Sequence, residues 1–151
     1  MRRTDADIID ARNDIRYLYR IKRRLNEIDQ KLKELDAQLD NYGVSSPLIR
    51  STEEAKYQRG TRIYSTENLM EIFTEQDTLD GERVLLLQVG SAIESRLVFC
   101  QLTEEEQKLL DYRYGHVPEM KYKEIARLMH CEPPTVMYHL YKIFDRYAKF
   151  L

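Results

Sequence analysis

Two regions of the chain repeat apolar residues at the spacing of long α-helices. The stretch from Asp5 to Asp40 contains no Gly or Pro, and its apolar positions alternate in steps of three and four: Leu18, Ile21, Leu25, Ile28, Leu32, Leu35 and Leu39. This pattern predicts a helix with one coiled-coil seam for a partner helix and charged residues on its other faces. The glycine and proline in Asn41–Pro47 predict the end of that helix.

A second helical region is predicted from Thr66 to Cys100. Its apolar positions fall seven residues apart, at Ile72, Leu79, Leu86, Ile93 and Cys100, with Leu69, Phe73, Val89 and Leu97 beside them. This face can pack on the first seam as an antiparallel helical hairpin. Asp80-Gly81 predicts a bend or a short turn, because glycine in a helix interior costs about 1 kcal/mol. The pattern leaves open whether the first seam pairs within the chain or with a second copy, and it slightly favours a homo-oligomer.

The last third of the chain has the pattern of two short helices joined by a tight turn. Ala126 of Lys121–Ile143 provides a small residue where the two helices cross. Apolar residues recur there at helical spacing and are expected to form one shared core: Ile125, Leu128, Met129, Val136, Leu140 and Ile143. Upstream, Thr103 and Glu106 have the spacing of a capping box that opens a further helix. A helix-turn-helix is therefore predicted, and such a unit places its second helix in the DNA major groove.

This region resembles the helix-turn-helix of region four of bacterial sigma factors and of LuxR-type regulators. The resemblance covers Leu102–Leu151 and includes Tyr122-Lys-Glu-Ile-Ala-Arg-Leu and Thr135-Val-Met-Tyr-His-Leu-Tyr-Lys-Ile. Where the family has a glycine in the turn, this chain has His130, which tolerates a positive φ better than a β-branched residue. Glu132 replaces the usual serine cap, but Pro133 favours a helix start at that position.

With a long helix in front, the layout is similar to that of RinA/ArpU-type phage regulators. The expected fold is all-α. Residues 1–100 are predicted to form a coiled-coil or hairpin arm with a connector at 41–65, and residues 101–151 a sigma-like DNA-binding domain. The resemblance implies a regulator of phage late or packaging genes that binds double-stranded DNA and contacts RNA polymerase.

The predicted DNA contacts come from both short helices. Pro134, Met137, Tyr138 and Tyr141 would face the groove, and the second helix offers no Arg, Asn or Gln there, so modest sequence discrimination is expected. Dimer spacing or DNA shape could add to that discrimination. Four basic residues are predicted to contact phosphate: Lys123, Arg127, Lys142 and Arg146.

The composition limits the classes of function that are possible but does not identify one of them. The net charge is -2, and Leu102–Leu151 contains eight basic and eight acidic residues, so the charge permits DNA binding but does not demand it. Glu104, Glu105, Glu106 and Asp111 are expected to face away from DNA. No membrane-spanning stretch or signal peptide is recognisable, and a cytoplasmic location is expected.

Neither catalysis nor a bound group is expected. His116, His130, His139 and Cys131 do not match a zinc-ligand spacing, so no metal is predicted. No phosphate loop or nucleophile motif is present, and neither a cofactor nor an enzymatic activity is expected. Two other hypotheses remain. One is a helical adaptor that binds proteins through its coiled coil, and the other is a small-terminase-like DNA recognition subunit, which usually has the motif before the coil.

Overall fold

Residues 4–41 and 66–151 are described by a computed structural model, and this part of the chain forms five α-helices and no strand. The all-α prediction is confirmed for these residues. All but the first residue of the predicted connector at 41–65 lies outside them. The helices are α1 (Asp5–Asn41), α2 (Thr66–Cys100), α3 (Glu104–Tyr114), α4 (Tyr122–Leu128) and α5 (Pro133–Ala148).

The helices are distributed over two compact units, and α1 and α2 contribute to both of them. The hairpin unit comprises the described residues within Arg23–Leu87. The C-terminal unit comprises residues 4–22 together with Gln88–Leu151. The unit that contains α3, α4 and α5 therefore also contains the first half of α1 and the last turns of α2.

In the hairpin unit, α1 and α2 pack antiparallel through the two apolar patterns. The buried core consists of Ile28, Leu35, Leu39, Ile72 and Leu79, and Leu32, Leu69 and Leu86 pack against it. Ion pairs flank this core, with Arg24 2.7 Å from Glu82 and Lys31 3.8 Å from Glu75. Along α1 the residue numbers of these pairs rise from Arg24 to Lys31, while those of their α2 partners fall from Glu82 to Glu75. The two helices are therefore antiparallel. Because the exposed pairs contribute little, the apolar contact stabilises the hairpin.

The predicted short turn at Gly81 is wrong, since α2 is helical throughout Thr66–Cys100. A Cβ atom placed on Gly81 would meet nothing within 4 Å, so this position faces open space. Leu79 is buried against α1, and Arg83 on the next turn pairs with Asp29 at 3.2 Å. Interactions on both sides of the glycine thus offset its modest helix cost. Phe73 and Val89, expected beside the packed face, are exposed.

Replacing Gly81 with alanine is expected to stabilise the protein by about 0.5–1 kcal/mol, because alanine loses less backbone entropy in a helix. Chemical denaturation followed by circular dichroism would measure the change. Gly81→Pro is the opposing variant and should cost about 3 kcal/mol or more in a continuous helix. A turn at this position would instead tolerate proline and gain nothing from alanine.

In the C-terminal unit, α3, α4 and α5 pack on one another in all three pairings. Their core includes Leu109 and Leu110 of α3, Ile125 of α4, and Leu140 and Ile143 of α5, all buried. Each helix is short, so the packing of its apolar side against the other two contributes most of its stability.

The first half of α1 is tied to the C-terminal helices by polar contacts within the same unit. The Tyr19 hydroxyl donates to Asp111 of α3 at 2.5 Å, and Arg16 pairs with Glu119 at 2.7 Å. The Tyr147 hydroxyl of α5 donates to Asp14 at 3.0 Å. These contacts hold α3 and α5 against α1, and they give Asp111 a structural role as the acceptor for Tyr19.

Candidate nucleic-acid interface

The helix that precedes α4 and α5 begins at a complete capping box, as predicted. The backbone N–H of Glu106 donates to the Thr103 hydroxyl, and the backbone N–H of Thr103 donates to the Glu106 carboxylate, both at 3.2 Å. Two backbone donors at the start of α3 are thereby satisfied. This fixes the first turn of α3.

The turn between α4 and α5 ends α4 in a Schellman motif. Its 6→1 bond joins the Cys131 N–H to the Ala126 carbonyl at 2.9 Å, and its 5→2 bond joins the His130 N–H to the Arg127 carbonyl at 3.4 Å. His130 has φ 54°, the left-handed conformation that glycine usually adopts at this position. The prediction that histidine accepts a positive φ here is confirmed.

The second helix of the pair, α5, starts at Pro133, also as predicted. Glu132 is the cap residue in extended conformation (φ -86°, ψ 150°), but its side chain makes no capping hydrogen bond. Its carbonyl accepts from the Thr135 N–H at 2.9 Å. The backbone conformation imposed before and at proline therefore sets the helix start, even though glutamate is a weak cap.

Apolar side chains occupy two opposite faces of α5. One face is buried against the rest of the C-terminal unit and consists of Val136, Leu140, Ile143, Phe144 and Tyr147. The other, which we call the exposed stripe of α5, consists of Pro134, Met137, Tyr138 and Tyr141. Exposed fractions of 53% for Met137, 55% for Tyr138 and 52% for Tyr141 show that these large side chains reach solvent. A helix with both faces apolar and only one covered presents a surface for a partner.

The cations predicted to contact phosphate fall into two groups. Lys123 and Arg127 of α4 and Lys142 of α5 are exposed. The Lys142 ammonium lies 4.8 Å from the centre of the Tyr138 ring, so it borders the exposed stripe. Lys121 and Lys149, basic residues outside the predicted set, are exposed as well. Lys123, Arg127 and Lys142 are exposed because they lie on helix faces that point away from the core. The spacing of the apolar residues in α4 and α5 indicates which faces those are.

Arg146 differs from the other predicted cations because it faces the protein. Its guanidinium forms an ion pair with Glu106 of α3 and donates to the Cys100 carbonyl at 3.4 Å. Glu106 is thus directed toward Arg146 within the C-terminal unit, and its predicted orientation away from DNA stays a prediction. Arg146 links α5 to the start of α3 and to the end of α2, and we remove it from the proposed DNA-contacting set.

Arg146→Glu is expected to destabilise the protein by about 1–3 kcal/mol, since it leaves Glu106 opposite a second carboxylate in a half-buried site. Lys142→Glu, on the exposed side of the same helix, should change stability by no more than about 0.5 kcal/mol. Urea denaturation would compare the two variants. Glu106→Arg also removes the capping-box bond to Thr103, so Arg146→Glu is compared in the parent and in the Glu106→Arg background, where that loss cancels. Arg146→Glu should cost less in the second background, and equal costs would contradict the proposed ion-pair role.

Leu128, expected in the shared core, is half exposed at the end of α4. The helix is only seven residues long and gives way at once to the turn at His130, so its last apolar position has no turn of α5 to cover it. Ile125 and Ala126 are buried as expected. These two residues are the part of α4 that belongs to the buried core of the C-terminal unit.

No grouping of three or more His, Cys, Asp or Glu side chains able to hold a metal ion occurs among residues 4–41 and 66–151. Within the same ranges, no helix combines the length and apolar character needed to cross a membrane. The thiols of Cys100 and Cys131 are unpaired, and burial raises the pKa of Cys100.

No family model, curated protein or solved structure matches the chain. The geometry of α3, α4 and α5 therefore provides the structural basis for a functional proposal.

Proposed function

We propose that this chain is a non-enzymatic DNA-binding protein that inserts α5 into the major groove of duplex DNA and regulates transcription. The observation that supports the proposal most directly is the exposed stripe of α5, on a helix whose opposite face is buried. Tyr138 and Tyr141 point to solvent, and burial of these tyrosines inside the protein would have excluded the proposal. A helix held in this way can enter a major groove about 12 Å wide.

The charges around the stripe fit a phosphate backbone. Five exposed cations lie on or next to α4 and α5, and two exposed acids, Glu124 and Glu132, oppose them. The local balance is therefore +3, although the whole chain carries -2. The cations are Lys121, Lys123, Arg127, Lys142 and Lys149. Since phosphate contacts supply most nonspecific affinity, this local balance supports DNA binding better than the net charge does.

The regulatory part of the proposal rests on the resemblance of Leu102–Leu151 to sigma factor region four and LuxR-type regulators. We propose a phage or prophage late-gene regulator that contacts RNA polymerase and acts in the cytoplasm. Self-association is also proposed, but it needs a surface other than the middle of the α1 seam. Ile28 and Leu35 of that seam are covered by α2 of the same chain.

Fluorescence anisotropy with a labelled random-sequence duplex tests DNA binding directly. Five phosphate contacts predict that log affinity falls with log salt with a slope of about -4.5, a loss of roughly five-hundredfold between about 50 mM and about 200 mM salt. Sequencing duplexes selected from a random library would then identify the target. Absence of binding at low salt would contradict the proposal.

An alternative, a helical adaptor, is favoured by a different surface of the C-terminal unit. Val98 and Phe99 at the end of α2 are strongly exposed, and the Phe99 ring lies 5.7 Å from that of Phe150. Contiguous exposed apolar residues of this kind often mark protein-binding sites. A chain that fails to bind duplex DNA at low salt but loses a protein partner on Phe99→Ser would support the adaptor.

A further inference from the structure

We propose that the exposed stripe of α5 recognises the C5 methyl groups of pyrimidines in the major groove, so that the protein prefers duplexes rich in thymine. The inference rests on the proposed DNA binding and adds the chemical feature that α5 would read. Its basis is the match between an apolar stripe bordered by cations and the one apolar group that base edges offer in that groove.

The side chains of the stripe are poorly suited to hydrogen-bonded base reading. Pro134 has no side-chain donor, the Met137 thioether is a weak acceptor, and Tyr138 and Tyr141 each offer a single hydroxyl. The strongest base contacts are bidentate and use Arg or Lys on guanine and Asn or Gln on adenine. Lys142 is the stripe's neighbouring cation, and its ammonium already lies over the Tyr138 ring. The exposed stripe of α5 is therefore better suited to apolar contact with base edges than to hydrogen bonding with them.

The side chains at the stripe's margins do not change this conclusion. His139 is exposed and its ring centre lies 5.8 Å from that of Tyr138, but it is one position beyond Tyr138 and off the stripe. Glu132, at the start of α5, disfavours phosphate at that point, whereas Lys142 favours it near the middle of the helix. The helix would thus make its cationic contacts beside Tyr138 and Tyr141 and leave Met137 for the base edges.

Alternating copolymers provide a direct test, because single methyl groups can be removed or added without changing the base-pairing edges. Poly d(A-T) is compared with poly d(A-U), and poly d(G-C) with poly d(G-5-methyl-C), by competition anisotropy at one salt concentration. The methylated duplex of each pair should bind more tightly, by about fourfold for each methyl group that becomes buried. The second pair controls for changes in duplex shape between thymine and uracil.

Met137→Ala should reduce both affinity ratios toward one while leaving the protein folded, because Met137 is half exposed and outside the core. Met70→Ala on α2 is the matched control, since Met70 is also a well-exposed helical methionine. It should leave both ratios unchanged.

The possible outcomes separate the two proposals. Salt-sensitive binding with equal affinity for both members of each pair would overturn methyl recognition and leave DNA binding standing. A methyl effect that persists in Met137→Ala and Tyr138→Ala would also overturn it, because the contact would then lie elsewhere. Failure to bind any of the four duplexes at low salt would overturn both proposals.

Discussion

Reversing Lys123, Arg127 and Lys142 to glutamate is expected to reduce duplex affinity by about a thousandfold at about 0.1 M salt. Each phosphate that a cation neutralises contributes roughly one power of ten at that salt concentration, through the release of condensed counterions. The three added carboxylates would repel the backbone and deepen the loss. Because all three side chains are exposed, helical content and stability should remain close to those of the parent protein.

Anisotropy measurements over a range of salt would give both the affinity and its salt dependence. The slope of log affinity against log salt should become about three units shallower for the triple variant. Arg20, Lys33 and Lys108 provide a matched control, since they are exposed residues of α1 and α3 and their reversal changes the net charge equally. If the control weakened binding as much as the test variant, net charge and not this surface would determine affinity, and the proposed interface would be wrong.

Helical spacing predicted most of the secondary structure because each pattern is local. Helix α1 was expected at Asp5–Asp40 and is Asp5–Asn41, and the capping box of Thr103 and Glu106 opens α3. The turn predicted at Gly81 rests on the low helix propensity of glycine, a local property that takes no account of contacts with another helix. Leu79 is buried by packing on α1, and Arg83 pairs with Asp29 of α1, which lies 54 residues earlier in the chain.

The candidate interface could be predicted only for side chains whose orientation depends on their own helix. Met137, Tyr138 and Tyr141 lie on the face of α5 opposite its buried residues, so the period of 3.6 residues already places them outside. Arg146 could not be placed in this way, because its partner Glu106 belongs to another helix. The same holds for Tyr19, whose acceptor Asp111 lies 92 residues away. Charge type and position indicate a candidate cation, but long-range packing decides whether it reaches solvent.

Alkaline pH is expected to unfold the C-terminal unit, because its tyrosines must stay neutral to remain buried. Tyr147 is 0% exposed and Tyr114 is 2% exposed. Burial is the largest of the effects that together raise the pKa of Tyr147 from 10.0 to about 12; Arg96 opposes the increase and Asp14 adds to it. Burial likewise raises the pKa of Tyr114 to about 12, against the lowering effects of Arg16 and Arg113.

The direction of the change in stability with pH follows from the raised pKa values of Tyr114 and Tyr147. Below the unfolded pKa of 10.0 the stabilisation by both neutral phenols is complete, and it is lost as the pH rises from 10 to about 12. Each phenol loses roughly 3 kcal/mol over that interval, since one pKa unit corresponds to about 1.4 kcal/mol. The combined loss is comparable to the whole stability of many small domains.

Circular dichroism and tyrosinate absorbance, recorded together during an alkaline titration, should show helix loss coinciding with ionisation of the buried phenols. Tyr147→Phe removes the ionisable group together with its hydrogen bond to Asp14. This variant should therefore be about 1 kcal/mol less stable at neutral pH but lose less stability between pH 10 and 12. Tyr138→Phe, which alters an exposed tyrosine, is the matched control and should not move the transition. A helical signal that persists through pH 12, or an unchanged transition in Tyr147→Phe, would show that burial of these phenols does not limit alkaline stability.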